Sequence, residues 1–153
     1  MLFRSQVTTV VKAGDTSSAP AQFNVAAAAP GIFVFGNNRA VVQNQDFSVN
    51  QATNPAAVGS FITVYLTGGG ALDNPVATGV PTPSTPLSRV NGSFSATIGG
   101  QPADILFLGM TPGLVGIVQA NLKVPQLSPG DYPLVITIGG TRSNAPVITV
   151  KGP

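Results

Sequence analysis

Residues 117–124 read IVQANLKV, and from Val118 onward apolar and polar side chains alternate without interruption. Successive side chains of a β-strand point to opposite faces of its sheet. The alternation therefore places Val118, Ala120 and Leu122 on one face and the polar residues between them on the other. This is typical of a half-buried strand, and we predict that its apolar face lies in a protein core.

Similar short runs recur along the whole sequence. Residues 61–67 read FITVYLT, a segment rich in β-branched and aromatic residues, and 18 glycines and 14 prolines separate such runs. A hairpin turn is predicted at residues 99–102, and no helical pattern reaches about 12 residues. The sequence thus predicts an all-β sandwich. The further residues that we assign to its core are Phe61, Phe94, Leu106, Phe107 and Leu108.

Residues 68–89 interrupt this pattern. They begin with three glycines and then carry Pro75, Pro81, Pro83 and Pro86. Because proline lacks the N–H donor, this segment cannot form a continuous strand ladder. We predict a long Pro/Gly-rich crossover that carries the chain from one sheet to the other.

The sequence also contains an internal repeat. Residues 10–25 read VVKAGDTSSAPAQFNV and residues 136–150 read ITIGGTRSNAPVITV, each a strand, a glycine turn, an Ala-Pro step and a strand. We therefore interpret residues 1–26 as a hairpin resembling the end of a preceding sandwich, and residues 27–153 as a sandwich domain. Since an isolated hairpin is marginally stable, we expect it to pack on its own domain or on a neighbouring chain, which makes self-association a predicted property.

Composition excludes several classes of function. Because the chain has no histidine and no cysteine, it cannot use Ser–His or Cys–His catalysis. Its seven basic residues are scattered, so we predict no nucleic-acid binding. No apolar run reaches the roughly 18 residues that a membrane span needs. Residues 1–14 lack the apolar core of a signal peptide, so we expect any export signal to lie outside this chain.

One segment has oxygen-bearing side chains at alternate positions, as calcium loops do: Asn44, Asp46, Ser48 and Asn50. The segment is not an EF-hand, because Val49 and Pro55 occupy the positions of the turn glycine and the bidentate glutamate. Two interpretations stay open, a loop of turn-forming residues and a weak calcium site. We predict that no cofactor is required and that Ca²⁺ is possible.

The carboxylates allow one catalytic alternative. All five acidic residues are aspartates, and aspartate next to glycine commonly serves turns. If the protein is an enzyme, a bound divalent ion would have to activate water, since no side-chain base of the usual kind is present. The weak catalytic candidates are then Asp73, Asp104 and Asp131.

The sequence contains an ordered series of short motifs rich in turn-forming residues. The motifs are Ala29-Pro30-Gly31-Ile32-Phe33, Asn44-Gln45-Asp46, Ser48-Val49-Asn50, Asn54-Pro55-Ala56, Gly59-Ser60, Thr97-Ile98-Gly99-Gly100, Pro102-Ala103, Pro112-Gly113-Leu114-Val115-Gly116, Gln119-Ala120-Asn121-Leu122-Lys123-Val124-Pro125, Pro129-Gly130-Asp131 and Ser143-Asn144-Ala145-Pro146. This series resembles a C-terminal domain repeated across large secreted proteins of soil acidobacteria such as Solibacter. The last part of that domain is similar to the immunoglobulin-like domains called IPT or TIG. The sequence departs from that pattern at Phe47, where glycine is usual after Asp46.

The resemblance implies an immunoglobulin-like sandwich, export from a bacterial cell, and an accessory or adhesive role without an established active site. Our leading hypothesis is a non-catalytic interaction module, secreted or at the cell surface, that binds a protein or cell-surface partner. The first alternative is a metal-assisted hydrolase of small esters or lactones such as acyl-homoserine lactones. The second is a carbohydrate-binding module that uses Tyr65 or Tyr132.

Overall fold

The computed structural model describes residues 5–152, and within that range every regular element is a β-strand. The described part of the chain contains no helix of the length and apolarity that crossing a membrane requires. The strands are β1 Ser5–Thr9, β2 Lys12–Ala13, β3 Thr16–Ser17, β4 Ala21–Val25, β5 Gly31–Ile32, β6 Val34–Phe35, β7 Arg39–Ala40, β8 Val42–Asn44, β9 Ala56–Ala57, β10 Phe61–Thr67, β11 Phe94–Ile98, β12 Gln101–Ala103, β13 Ile105–Met110, β14 Val118–Lys123, β15 Gly130–Ile138, β16 Thr141–Arg142 and β17 Val147–Lys151.

Two sheets form a β-sandwich, as predicted. The smaller sheet has the order β13-β14-β10-β5, and β8 also pairs with β10. The larger sheet has the order β12-β11-β15-β17-β7-β6, with β16 beside β15 and β9 beside β17. One apolar core contains buried side chains from both sheets. The hairpin of β1 and β4, with β2 and β3 at its tip, stands outside both sheets.

Strand β14 lies as the alternation predicts. Val118, Ala120 and Leu122 are buried, whereas Lys123 is exposed. The strand pairs antiparallel with β10, so that Leu122 lies beside Ile62 and Ala120 lies beside Val64 on the same buried face. The inner face of the smaller sheet is therefore a continuous aliphatic surface.

The prediction for Leu108 is confirmed, and the one for Leu106 is wrong. Leu108 is buried, whereas Leu106 is 55% exposed. The pairing of β13 with β14 shifts between Ile105 and Phe107, which leaves Leu106 as the extra residue of a β-bulge. One extra residue moves a side chain to the other face of the sheet, and the alternating pattern cannot reveal where that happens.

Two phenylalanines assigned to the core are also exposed. Phe61 is the first residue of β10 and points away from the core-facing Ile62. Phe94 lies on the same face of β11 as the buried Ala96. It is the first residue of the strand, however, and it is 42% exposed. Phe107 is half-buried, and its ring lies 5.3 Å from the Arg89 guanidinium, a cation–π contact.

The long crossover connects the two sheets, as predicted. It leaves β10 in the smaller sheet and reaches β11 in the larger one. Its start is fixed because Gly68 has a φ of 73° and lies so close to the Ala29 carbonyl that a Cβ would overlap it. Further along, Asp73 Oδ1 accepts a hydrogen bond from Arg89 N–H at 2.7 Å. The segment is therefore ordered by local hydrogen bonds and close packing.

We expect Leu122→Ala to lower the free energy of unfolding by about 2–5 kcal/mol, because it empties a fully buried site between the sheets. Lys123→Ala, one residue later on the exposed face, should cost well under about 1 kcal/mol. Urea unfolding of both variants measures the two values. Equal effects would contradict the observed register of β14.

Candidate interaction surface

The N-terminal hairpin is a free-standing two-stranded ribbon. Strands β1 and β4 pair from Ser5 with Val25 to Thr9 with Ala21, and Gly14 at the tip has a φ of 58°. Every side chain from residue 6 to residue 27 is exposed, and the buried core contains no residue of the hairpin. Among the described residues, β1 and β4 pair only with each other.

The two faces of this hairpin differ in chemistry. Val7 lies opposite Phe23, and Val25 is two residues beyond Phe23, so these three side chains share one face. Phe23 is 51% exposed, whereas Val25 and Val7 are 41% and 38% exposed. The opposite face carries only uncharged polar residues, namely Gln6, Thr8, Gln22 and Asn24. We call the first side the apolar hairpin face (Val7, Phe23, Val25).

The four proposed calcium ligands are brought together, but their polar groups bind one another and the backbone. Asn44 donates to Ser48 Oγ at 3.1 Å and to the carbonyl of Asn54 at 2.8 Å. Its own Oδ1 accepts a hydrogen bond from Asn50 Nδ2 at 3.0 Å. Ser48 donates twice to Asp46 Oδ1, and these hydrogen bonds lower the pKa of Asp46.

Asn50 is a polar tie between the two sheets. Its side chain is 1% exposed, donates to the Thr149 carbonyl at 2.9 Å and accepts from the Thr149 N–H at 2.8 Å. An amide that satisfies both backbone groups of β17 can be buried without leaving unpaired donors or acceptors. Asn50 thus joins the loop after β8, in the smaller sheet, to β17 in the larger one.

The three catalytic candidates lie in separate environments. Asp73 caps the crossover, Asp104 lies exposed between β12 and β13, and Asp131 belongs to β15. Arg39 forms a salt bridge with Asp131 at 3.2 Å, and Thr149 donates to the same carboxylate at 2.5 Å. The hydrogen bond from Arg39 is the main cause of a lowered pKa of Asp131, and the hydrogen bond from Thr149 lowers this pKa further. Within residues 5–152 no three His, Cys, Asp or Glu side chains form a group able to hold a metal ion.

A second surface lies on the outer side of the smaller sheet, a groove of about 240 Å³ lined by aromatic, aliphatic and amide side chains. Phe47 is 79% exposed and has a φ of 66°. It is the last residue of a three-residue loop between Asn44 and Ser48, a position that commonly carries glycine because its backbone is left-handed. The groove residues used below are Gln43, Phe47, Phe61, Leu106 and Asn121.

Sequence reasoning identified the hairpin but missed the groove. Phe61 was assigned to the core, and Leu106 moved outward through a bulge without a sequence signal. Phe47 did carry a signal, since it was singled out from the sequence as a residue at a position where glycine was expected. The structure gives that position a left-handed backbone.

No protein-family model matches this sequence, and no curated protein matches it either. The properties of the two surfaces therefore rest on their own residues.

We expect Asn50→Ala to lower the free energy of unfolding by about 1–3 kcal/mol, because both backbone groups of Thr149 lose their partner in a buried site. Gln51→Ala, at the exposed neighbour, should change it by no more than about 0.5 kcal/mol. Thermal melts with and without calcium measure both effects. A rise in the Tm of the wild type on adding calcium would show that a calcium site exists and would contradict a purely structural role for this segment.

Proposed function

We propose that the protein is a non-catalytic interaction module, secreted or at the cell surface, that binds a protein partner through the apolar hairpin face. The observation that carries this proposal is the exposure of Val7, Phe23 and Val25 on a hairpin that packs on no other described part of the chain. The extracellular setting rests on the family resemblance of the sequence.

Burial of these exposed side chains against a partner would stabilise the complex. Burying one large aliphatic or aromatic side chain contributes about 1.5–3 kcal/mol relative to leaving it in water. Among residues 5–152, no strand pairs with the two outer edges of the hairpin, and another strand can be added to such edges. Burial and strand pairing together make the hairpin suited to a protein partner. The hydrolase alternative has no comparable support, because the candidate carboxylates do not form a metal-binding group within the described residues.

In the absence of another partner, we expect the apolar hairpin face to drive self-association of the chain. Deleting residues 1–26 should lower the mass measured by sedimentation equilibrium and leave Tm unchanged, because the part of the hairpin that the structure describes contributes no side chain to the core. Phe23→Ser should act like the deletion. Gln22→Ser, on the polar face, should keep the wild-type mass. A chain that is monomeric with and without its hairpin up to high concentration contradicts self-association through this face.

A second candidate function is carbohydrate binding in the groove. Phe47 is an exposed aromatic residue in a left-handed conformation, which costs about 1–3 kcal/mol for residues other than glycine. Phe47 and Phe61 offer aromatic surface to the apolar faces of a sugar ring, and Gln43 and Asn121 carry amides that can bind its hydroxyl groups. The proposal therefore uses different residues from Tyr65 and Tyr132. Tyr132 instead donates a hydrogen bond to the Ser128 carbonyl.

We expect Phe47→Gly to keep or raise Tm, because glycine adopts this backbone conformation without strain, and to abolish binding on a glycan array. Leu114→Ala, another exposed apolar residue that does not line the groove, serves as the control and should bind like the wild type. An unchanged glycan profile for Phe47→Gly, or no binding by the wild type, rules out this function for the groove.

A further inference from the structure

The N-terminal hairpin has the same strand register as the last hairpin of the sandwich. β1 pairs with β4 from Ser5 with Val25 to Thr8 with Gln22. β15 pairs with β17 from Gly130 with Val150 to Pro133 with Val147. Each residue of the second set lies 125 positions after its counterpart in the first. The tips follow the same rule, since Lys12 with Ser17 corresponds to Thr137 with Arg142.

The hydrogen bonds at the two tips are also the same. The Val11 N–H donates to Ser18 Oγ at 3.0 Å, and the Ser18 N–H donates back to the Val11 carbonyl at 2.9 Å. The Ile136 N–H donates to Ser143 Oγ at 3.0 Å, and the Ser143 N–H donates back at 2.9 Å. In both copies the serine hydroxyl then donates to the carbonyl of the next residue. The two hairpins thus share a backbone design, including its bends.

The correspondence between the two hairpins indicates which face of the first hairpin would lie in a core. In the last hairpin Ile136, Ile138, Ile148 and Val150 are buried between the sheets. Their counterparts 125 positions earlier are Val11, Ala13, Phe23 and Val25, which are apolar and exposed. The outward-facing Thr149 corresponds to the polar Asn24.

The edges of the last hairpin show what such an element pairs with. β15 pairs antiparallel with β11, and β17 pairs parallel with β7 and β9. In the first hairpin β1 and β4 have neither kind of neighbour among the described residues. A binding partner that reproduces the environment of β15 and β17 must therefore offer an antiparallel strand, a parallel strand and the aliphatic inner face of a second sheet.

We propose that the N-terminal hairpin is the closing hairpin of a second sandwich, and that its partner is an immunoglobulin-like unit that lacks its own last hairpin. This proposal rests on the proposed function, because it names the partner of the same apolar hairpin face. A second copy of this chain is not that partner, since β15 and β17 already fill the position. They do so with larger core residues, Leu134 and Ile138 where the first hairpin has Thr9 and Ala13.

The test supplies such a partner within one polypeptide. Residues 27–129, the sandwich without its last hairpin, are joined directly to Ser5 of the chain, which preserves the spacing of 125 residues. We expect backbone amides of residues 7–25 to exchange hydrogen at least about a hundredfold more slowly in this fusion than in the unfused chain, because they become part of a folded core. A second fusion carries Thr9→Leu and Ala13→Ile, which restore the larger core residues of the last hairpin. The same hydrogen-exchange measurement is made on this fusion.

Matched variants show whether the slow amide exchange comes from insertion of the hairpin into a core or from another cause. Phe23→Asp, on the core-facing side, should abolish the slow exchange, whereas Asn24→Asp adds the same charge on the outward side and should leave it intact. Exchange in the hairpin that is no slower in either fusion than in the unfused chain overturns the proposal. Equal protection in the unfused chain, lost on dilution, would show that a second copy is the partner instead and also overturns it. Because the fusion works within one molecule, its outcome does not depend on whether the free chain associates.

Discussion

The pairing of β10 with β14 sets the positions of the other elements of the sandwich. Both strands alternate along their length, and their register aligns buried residues with buried residues, such as Ile62 with Leu122. Because the period of a strand is two, the same register aligns Thr63 with Asn121 on the outer face. β13 adds to the free side of β14, and β5 and β8 add to β10. A single register thus produces both the core and the floor of the groove.

Polar ties complement this apolar contact at the periphery of the sandwich. Asn50 replaces a strand partner for both backbone groups of Thr149, and the Thr149 hydroxyl contacts Asp131 on the outer side. Arg39 from β7 contacts both Asp131 and Thr149, and its side chain thus connects β7 to β15 and β17 in the larger sheet. Such hydrogen bonds add little net stability but make wrong registers costly, because a shifted strand would leave buried groups unpaired.

The parts of the fold that follow a strict alternation could be predicted from the sequence. Val118, Ala120 and Leu122 lie in the core as expected, the crossover connects the sheets, and the turn at Gly99 and Gly100 joins β11 to β12. The bulge at Leu106 could not be predicted, because an extra residue in one strand depends on the partner strand. The burial of Asn50 also depends on distant partners, since its hydrogen bonds are made to a residue 99 positions away. The apolar side of the hairpin could be read from the sequence, whereas the groove depends on the bulge and on one left-handed residue.

The connection between the hairpin and the sandwich restricts where a bound partner can lie. Only residues 26–30 separate β4 from β5, and the Ala29 N–H donates to the Gly68 carbonyl at 3.0 Å. An extended chain covers at most about 3.3–3.6 Å per residue, so the free part of this connection reaches only about 10 Å beyond that anchor. A molecule held by the hairpin would therefore be kept next to the sandwich. A pulling force on that molecule would reach the sandwich with little slack.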